Sequence, residues 1–270
     1  MNVPKNNIIY HCDDLYVDWA ITSIRSVLAN NKNIKFHIIA DINYNNVKKF
    51  YQLQTETGAD IDIHAVSTYL YDRYKIDKKY KRLLKRDSIK PLYEINKEGN
   101  LDEHPHVSNS LYYFVYWEYL FKELNTALYL DCDTIIDGSL DELFALDLEG
   151  KDFAMCKSYT KDFVIHNNKK YTSYNGGVMF GNIKAACKII PKIYEHTVNN
   201  LHWAKFGLQE SSMVFLNERV KEIDKKWNIC VKREKGEKRT KGIIYHYMSW
   251  SIKPYILDDL YKKYEHNSCR

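Results

Sequence analysis

The chain has 270 residues, 45% apolar and 28% charged, with a formal net charge of +5. This balance fits one large globular domain or two small ones and excludes a disordered or fibrous chain. The mild positive charge suits an anionic substrate or an acidic surface, but the basic residues are spread out and no recognition motif marks a nucleic-acid binder.

The N-terminal MNVPKNNIIYHC lacks the long apolar core of a signal peptide. NIIYHC (7–12) reads as a short strand. In 13–31 the apolar Val17, Ala20, Ile21, Ile24, Val27 and Leu28 recur at helical spacing. IKFHIIAD (34–41) is a second strand, 43–58 a helix that Gly58 stops, and DIDIHAV (60–66) a third strand. This alternation predicts a parallel sheet with right-handed crossovers.

Residues 70–107, rich in Lys, Arg, Tyr and Asp, break the rhythm and read as an accessory insertion or lid with one or two short helices. Within it, Lys78 to Arg86 is either a solvated helix face or a contact to a membrane or acceptor. SLYYFVYWEYLFKEL (110–124) predicts an aromatic helix, and TALYLDCD (126–133) a strand buried at the centre of a parallel sheet. FAMCKSY (153–159) and GGVMFGNI (176–183) are strand-like. Helices follow over 184–204 and 208–219, with Pro191 at a kink or early turn. KEIDKKWNIC (221–230) leads to a short strand, 232–241 is a charged loop, and GIIYHYM (242–248) is the last strand.

No run reaches the ~20 apolar residues that span a membrane. The six cysteines, Cys12, Cys132, Cys156, Cys187, Cys230 and Cys269, form no C-x-x-C pair and read as free thiols in a reducing compartment. The expectation is a single cytoplasmic domain over 1–255 followed by a tail over 256–270.

Four stretches carry chemistry. Asp131 and Asp133 end an apolar strand, where an open α/β sheet binds its ligands; they are either turn-capping acids or oxygen ligands for Mg²⁺ or Mn²⁺ shared with a diphosphate. Asp13 follows the first strand. It is either a helix N-cap or an acceptor for a nucleotide base or ribose, with Tyr16 stacking on the base. In SYNGGVMFGN the glycines after Asn175 permit a tight turn or close approach to a ligand. In YHYMSWSIKPY, His246 is a core residue or an imidazole ligand, and Lys253 a point charge for phosphate.

In this order the four stretches resemble glycosyltransferase family 8, over roughly residues 7 to 255. ALYLDCDTIIDGSLDELFALDL resembles the family's metal-binding strand, YNGGVMFGNIK its N-x-G-V-x-x-x-N signature, and HYMSWSIKPY its C-terminal H-x-x-G-x-x-K-P-W signature. The resemblance implies a GT-A fold, an α/β domain with a Rossmann-like mixed central sheet flanked by helices. It implies a UDP-sugar donor such as UDP-glucose or UDP-galactose, a Mn²⁺ or Mg²⁺ ion, a glycan or glycolipid acceptor, and retention of anomeric configuration. Asp131, Asp133 and His246 would ligate the metal, Asp13 and Tyr16 hold the uridine, and Lys253 touch the diphosphate. Asn175 and Gly177 would face the donor sugar or acceptor. Gln209 would lie near the anomeric carbon, with Glu210 beside it.

Three positions depart from the pattern. Leu208 stands where the family has the first Asp of Asp-Gln-Asp. The basic residue expected before the metal strand is Glu118, or Phe114 without a gap, and Lys122 is the nearest cation. His246 and Lys253 are seven apart, one more than usual, and Ser249 replaces a Gly. The expected function is hexose transfer in bacterial lipopolysaccharide or capsule synthesis; the alternative is an impaired relative that binds nucleotide-sugar or glycan without turnover.

Overall fold

The computed structural model describes residues 5–66, 93–95, 101–103, 109–159, 161–200, 208–231, 241–248 and 259–265. The chain begins β1 (Asn6–Asp13), α1 (Val17–Asn30), β2 (Ile34–Asp41), α2 (Tyr44–Thr57), β3 (Asp60–Ala65). Local chemistry sets the bounds of α2. The Asn43 side chain accepts the Asn46 N–H, and Gly58 at φ 69° takes the left-handed position that closes the helix.

Of the expected insertion, the described parts are β4 (Tyr93–Ile95) and β5 (Leu101–Glu103), which pair antiparallel; the short helices expected in it have no counterpart to compare, since the rest of 70–107 lies outside the described residues. The basic stretch Lys78 to Arg86 lies outside the described residues. The aromatic helix expected over 110–124 is instead a 3₁₀ stretch (Asn109–Tyr116) running into one turn of α-helix, α3 (Trp117–Leu120). Val115, Tyr116 and Trp117 are all buried in succession, which a helix with one apolar stripe does not allow.

The chain continues through β6 (Thr126–Leu130), β7 (Thr134–Ile136), α4 (Asp141–Phe144) and β8 (Phe153–Lys157). The hairpin β9 (Phe163–His166) and β10 (Lys169–Thr172) precedes β11 (Tyr174–Asn182). Then come α5 (Ile183–Asn199), which holds Pro191 in its interior, α6 (Leu208–Leu216) and β12 (Val220–Glu222). The last elements are β13 (Ile229–Cys230), β14 (Ile244–His246) and α7 (Asp259–Tyr264).

Among the described residues the central sheet has seven strands in the order β12-β8-β11-β6-β1-β2-β3. β11 runs antiparallel to β6 and β8, and the other pairings are parallel, so the sheet is mixed. Alternate residues feed two apolar layers. Ile8, Tyr10, Leu128 and Leu130 face one with α1, and Ile9, Ala127 and Tyr129 face the other with α3, α5 and α6. Leu260, Tyr261 and Tyr264 of α7 belong to the first layer, and Asn30 of α1 donates to the Tyr264 hydroxyl at 3.1 Å. The C-terminal segment thus closes the core over α1. Among the described residues no helix is long and apolar enough to cross a membrane.

Candidate active site

The parallel strands β1 and β6 end side by side, and their carboxyl ends deliver Asp13, Asp131 and Asp133 to one edge of the sheet. A small second sheet, β13-β14-β7, brings His246 to the same edge: β14 pairs antiparallel with β7, with His246 opposite Thr134. The Tyr247 N–H donates to the Asp133 carbonyl at 2.9 Å, which fixes the two segments together. His246 Nε2 then stands 3.4 Å from Asp131 Oδ2 and 3.2 Å from Asp133 Oδ1. Two carboxylates and an imidazole converge on one point, a donor set that fits Mn²⁺ or Mg²⁺.

The loop that carries the two acids is anchored from below. Thr134 Oγ1 donates to the Asp131 carbonyl at 2.8 Å. Ser23 Oγ lies 3.1 Å from Thr134 Oγ1, and the Tyr10 hydroxyl 2.8 Å from Ser23 Oγ. The single Thr134 proton is committed to the carbonyl, so Ser23 donates to Thr134 and Tyr10 to Ser23. All three side chains are buried, so each hydroxyl needs its partner.

The imidazole is oriented from behind. Asn228, fully buried, gives its Nδ2 to Asn175 Oδ1 at 2.8 Å, leaving its Oδ1 to accept from His246 Nδ1 at 3.2 Å. That bond keeps a proton on His246 Nδ1, directed at Asn228 Oδ1, and turns Nε2 toward the carboxylates. Asn175 Oδ1 also accepts the Gly177 N–H at 3.0 Å. β11 reaches this position through a bulge. Between Tyr174 and Met179 it advances five residues while β8 goes two, from Lys157 to Met155. A Cβ at Gly177 would overlap the His246 ring and lie 2.7 Å from Asp131 Oδ2, whereas one at Gly176 would meet open space. Asn175 and Gly177, expected to face the sugar, are thus built into the support of His246.

Burial alone would lower the His246 pKa, but Asp133 and Asp131 outweigh it and push it up to about 10. Asp131, although desolvation opposes ionisation, is held below the usual range by His246 and by the Tyr129 hydroxyl, which donates to Oδ1 at 2.7 Å. Asp133 is raised, chiefly by burial.

At the N-terminal side, Asp13 Oδ1 accepts the Leu15 N–H at 3.0 Å, closing a turn. The helix N-cap itself is Tyr16, with no side-chain cap bond. Burial raises the Tyr16 pKa, with Asp133, Asp13 and Asp131 adding to it, so its hydroxyl lies in the field of the acids. Its neighbour Asp14 is structural, accepting from Asn43 and Asn46. Gln209 and Glu210 open α6, which is tied to the site strand by the Tyr174 N–H on Met213 Sδ at 3.1 Å. Gln209 is half-buried, while Glu210 and Leu208 are buried. Lys253 and Ser249 lie outside the described residues.

The two positions open to the expected basic residue part company. Glu118 faces α5, lining a small cavity with Cys187, Ile190 and Pro191. Phe114 packs edge-on to His11, centroids 4.4 Å apart, and 4.8 Å from Tyr129, the donor to Asp131. The position beside the strand that leads to Asp131 is therefore Phe114. His11, which no local sequence pattern singles out, is the buried centre of this aromatic group and accepts the Trp117 Nε1–H at 2.9 Å.

The architecture is that of a GT-A glycosyltransferase. The solved galactosyltransferase LgtC superposes with a TM-score of 0.67 over 95% of both chains at 15% identity. GlyE of Streptococcus pneumoniae does so with 0.65, over 97% of this chain and 60% of its own, at 17% identity. A sequence model described as glycosyl transferase family 8 matches residues 7–255, and the chain belongs to that family. Among its relatives are the glycosyltransferase GlyB of S. pneumoniae serotype 4, 25% identical over 83% of this chain, and the lipopolysaccharide 1,2-glucosyltransferase of Escherichia coli, 25% identical over 89%. The chain spans 48% of GlyB and 67% of the E. coli enzyme.

Proposed function

We propose that this protein is a metal-dependent hexosyltransferase. It moves glucose or galactose from a UDP-sugar to a glycan or glycolipid acceptor, with retention of configuration, in bacterial lipopolysaccharide or capsule synthesis. The observation that carries the reading is the convergence of Asp131, Asp133 and His246 at the carboxyl ends of the parallel strands. A family relative named as a lipopolysaccharide glucosyltransferase supports the substrate class.

Asp131, Asp133 and His246 would hold a Mn²⁺ or Mg²⁺ ion, which when bound would supply positive charge to the departing diphosphate. Asp131 and Asp133 give hard oxygen ligands, and His246 gives Nε2 after losing its proton. Asp13 and Tyr16, on the turn after β1, receive the uridine. Lys253 adds charge at the diphosphate. Asn175 and Gly177 border the donor sugar while they brace His246, and Gln209, with Glu210 next to it, lies by the anomeric carbon. Among the described residues no strong nucleophile is placed there, so the acceptor hydroxyl attacks from the leaving-group side and gives its proton to the departing phosphate oxygen. The protein works in the cytoplasm, peripherally at the inner face of the membrane, where a glycolipid acceptor would be met.

A second reading is favoured by two side chains. Leu208 is 7% exposed within an apolar layer and offers a sugar no polar contact. Phe114 puts an aromatic ring where a cation was expected. These fit a binder without turnover. Incubation with UDP-glucose and UDP-galactose plus Mn²⁺ separates the two: slow UDP release supports the transferase, and binding without release supports the binder.

A further inference from the structure

A second cluster of metal-type ligands lies on the opposite half of the sheet, away from the site above. His37 on β2 and Asp62 and His64 on edge strand β3 share one sheet face, and one donor atom from each lies within 4.8 Å of the others. We propose that His37, Asp62 and His64 form a second cation site, for zinc or a similar borderline metal.

Three observations carry this. First, His37 Nδ1 and His64 Nε2 are 3.4 Å apart. That is long for a hydrogen bond, but two nitrogens on tetrahedral zinc, each about 2.0–2.1 Å from the ion, stand about 3.3–3.4 Å apart. Second, the tautomer is set. Asn7 Oδ1, a carbonyl-type acceptor, stands 3.0 Å from His37 Nε2 and accepts its N–H. The His37 proton therefore sits on Nε2, and the Nδ1 lone pair faces His64. A ring nitrogen fixed by a carbonyl-type acceptor is the usual support behind a ligating histidine.

Third, the cluster is enclosed: His37 is buried and His64 half-buried. Phe121 walls the pair, with centroids 5.0 and 5.4 Å from the two rings. Lys35 holds Asp62 Oδ2 at 2.8 Å, with Oδ1 remaining for a cation. With two imidazoles and one carboxylate the set is nitrogen-rich and suits zinc better than Mg²⁺, which prefers mostly oxygen ligands. Occupancy would fasten the edge strand β3 to β2.

The test is zinc stoichiometry and affinity by calorimetry on the full chain. Wild type should bind two equivalents of Zn²⁺, and His64→Ala one. The double variant Asp131→Asn/Asp133→Asn should keep one equivalent. In that background Asn7→Ala should weaken binding about 10–100-fold. Zinc binding unchanged by His64→Ala, or lost entirely in the double variant while its melting temperature holds, would overturn the proposal.

Discussion

Gly177 faces His246 so closely that a side chain on the one would occupy the ring of the other. A Cβ at residue 177 would lie 2.7 Å from both His246 Nδ1 and Asp131 Oδ2, closer than real Cβ atoms approach such groups. The neighbour Gly176 has nothing within 4 Å of the same construction. Gly177→Ala should therefore abolish measurable Mn²⁺ binding and lower the melting temperature. Gly176→Ala should leave Mn²⁺ affinity within about twofold, as surface substitutions without a clash do. Calorimetric Mn²⁺ titration of both variants checks the pair.

Asn228 has no direct place in the metal cluster, yet it fixes which nitrogen of His246 faces the acids. Asn228→Ala should lower Mn²⁺ affinity about 10–100-fold, the usual cost of losing a partner behind a ligand. Asn228→Asp, which keeps an acceptor for Nδ1–H, should recover part of it.

Proton release follows from the raised His246 pKa. In the metal-free protein the imidazole is charged below about 10, so at pH 7.5 a cation must displace its proton. Mn²⁺ affinity should rise about tenfold per pH unit between pH 6.5 and 8.5, with about one proton released per ion. The sign for stability is the reverse. His246 adds stability to the metal-free chain that is complete below its ordinary value of 6.5 and is lost as pH climbs toward about 10. Calorimetry in buffers of different ionisation enthalpy reads the proton count.

The buried run Tyr10–Ser23–Thr134 bears on stability as well as on the site. Thr134→Val removes the donor to the Asp131 carbonyl and the acceptor for Ser23. It should cost about 1–3 kcal/mol in urea unfolding, because a buried hydroxyl is left without its partner.

Periodicity made the first five elements legible, since strand alternation and a 3.6-residue apolar stripe are properties of the local sequence. The carboxylates of the site were legible too, because Asp131 and Asp133 end an apolar run. What escaped was non-local. The β11 bulge depends on its register against β8, and Asn228 and His11 acquire their roles only from neighbours 18 and 106 residues away. The β9–β10 hairpin does carry a local signal, because Asn167 and Asn168, at φ 47° and 60°, form its two-residue turn. The aromatic stretch 109–116 misled because its apolar residues suit any buried segment, and packing selected a 3₁₀ form.

The most direct test of the account is UDP release from UDP-glucose and UDP-galactose with Mn²⁺, by wild type and Asp133→Ala in parallel. The account predicts slow, Mn²⁺-dependent release of UDP from one of the two donors, lost on chelation and reduced at least about 100-fold in Asp133→Ala, in line with the loss of electrostatic stabilisation of the leaving group. No release by wild type from either donor, or release that Asp133→Ala leaves unchanged, would contradict it.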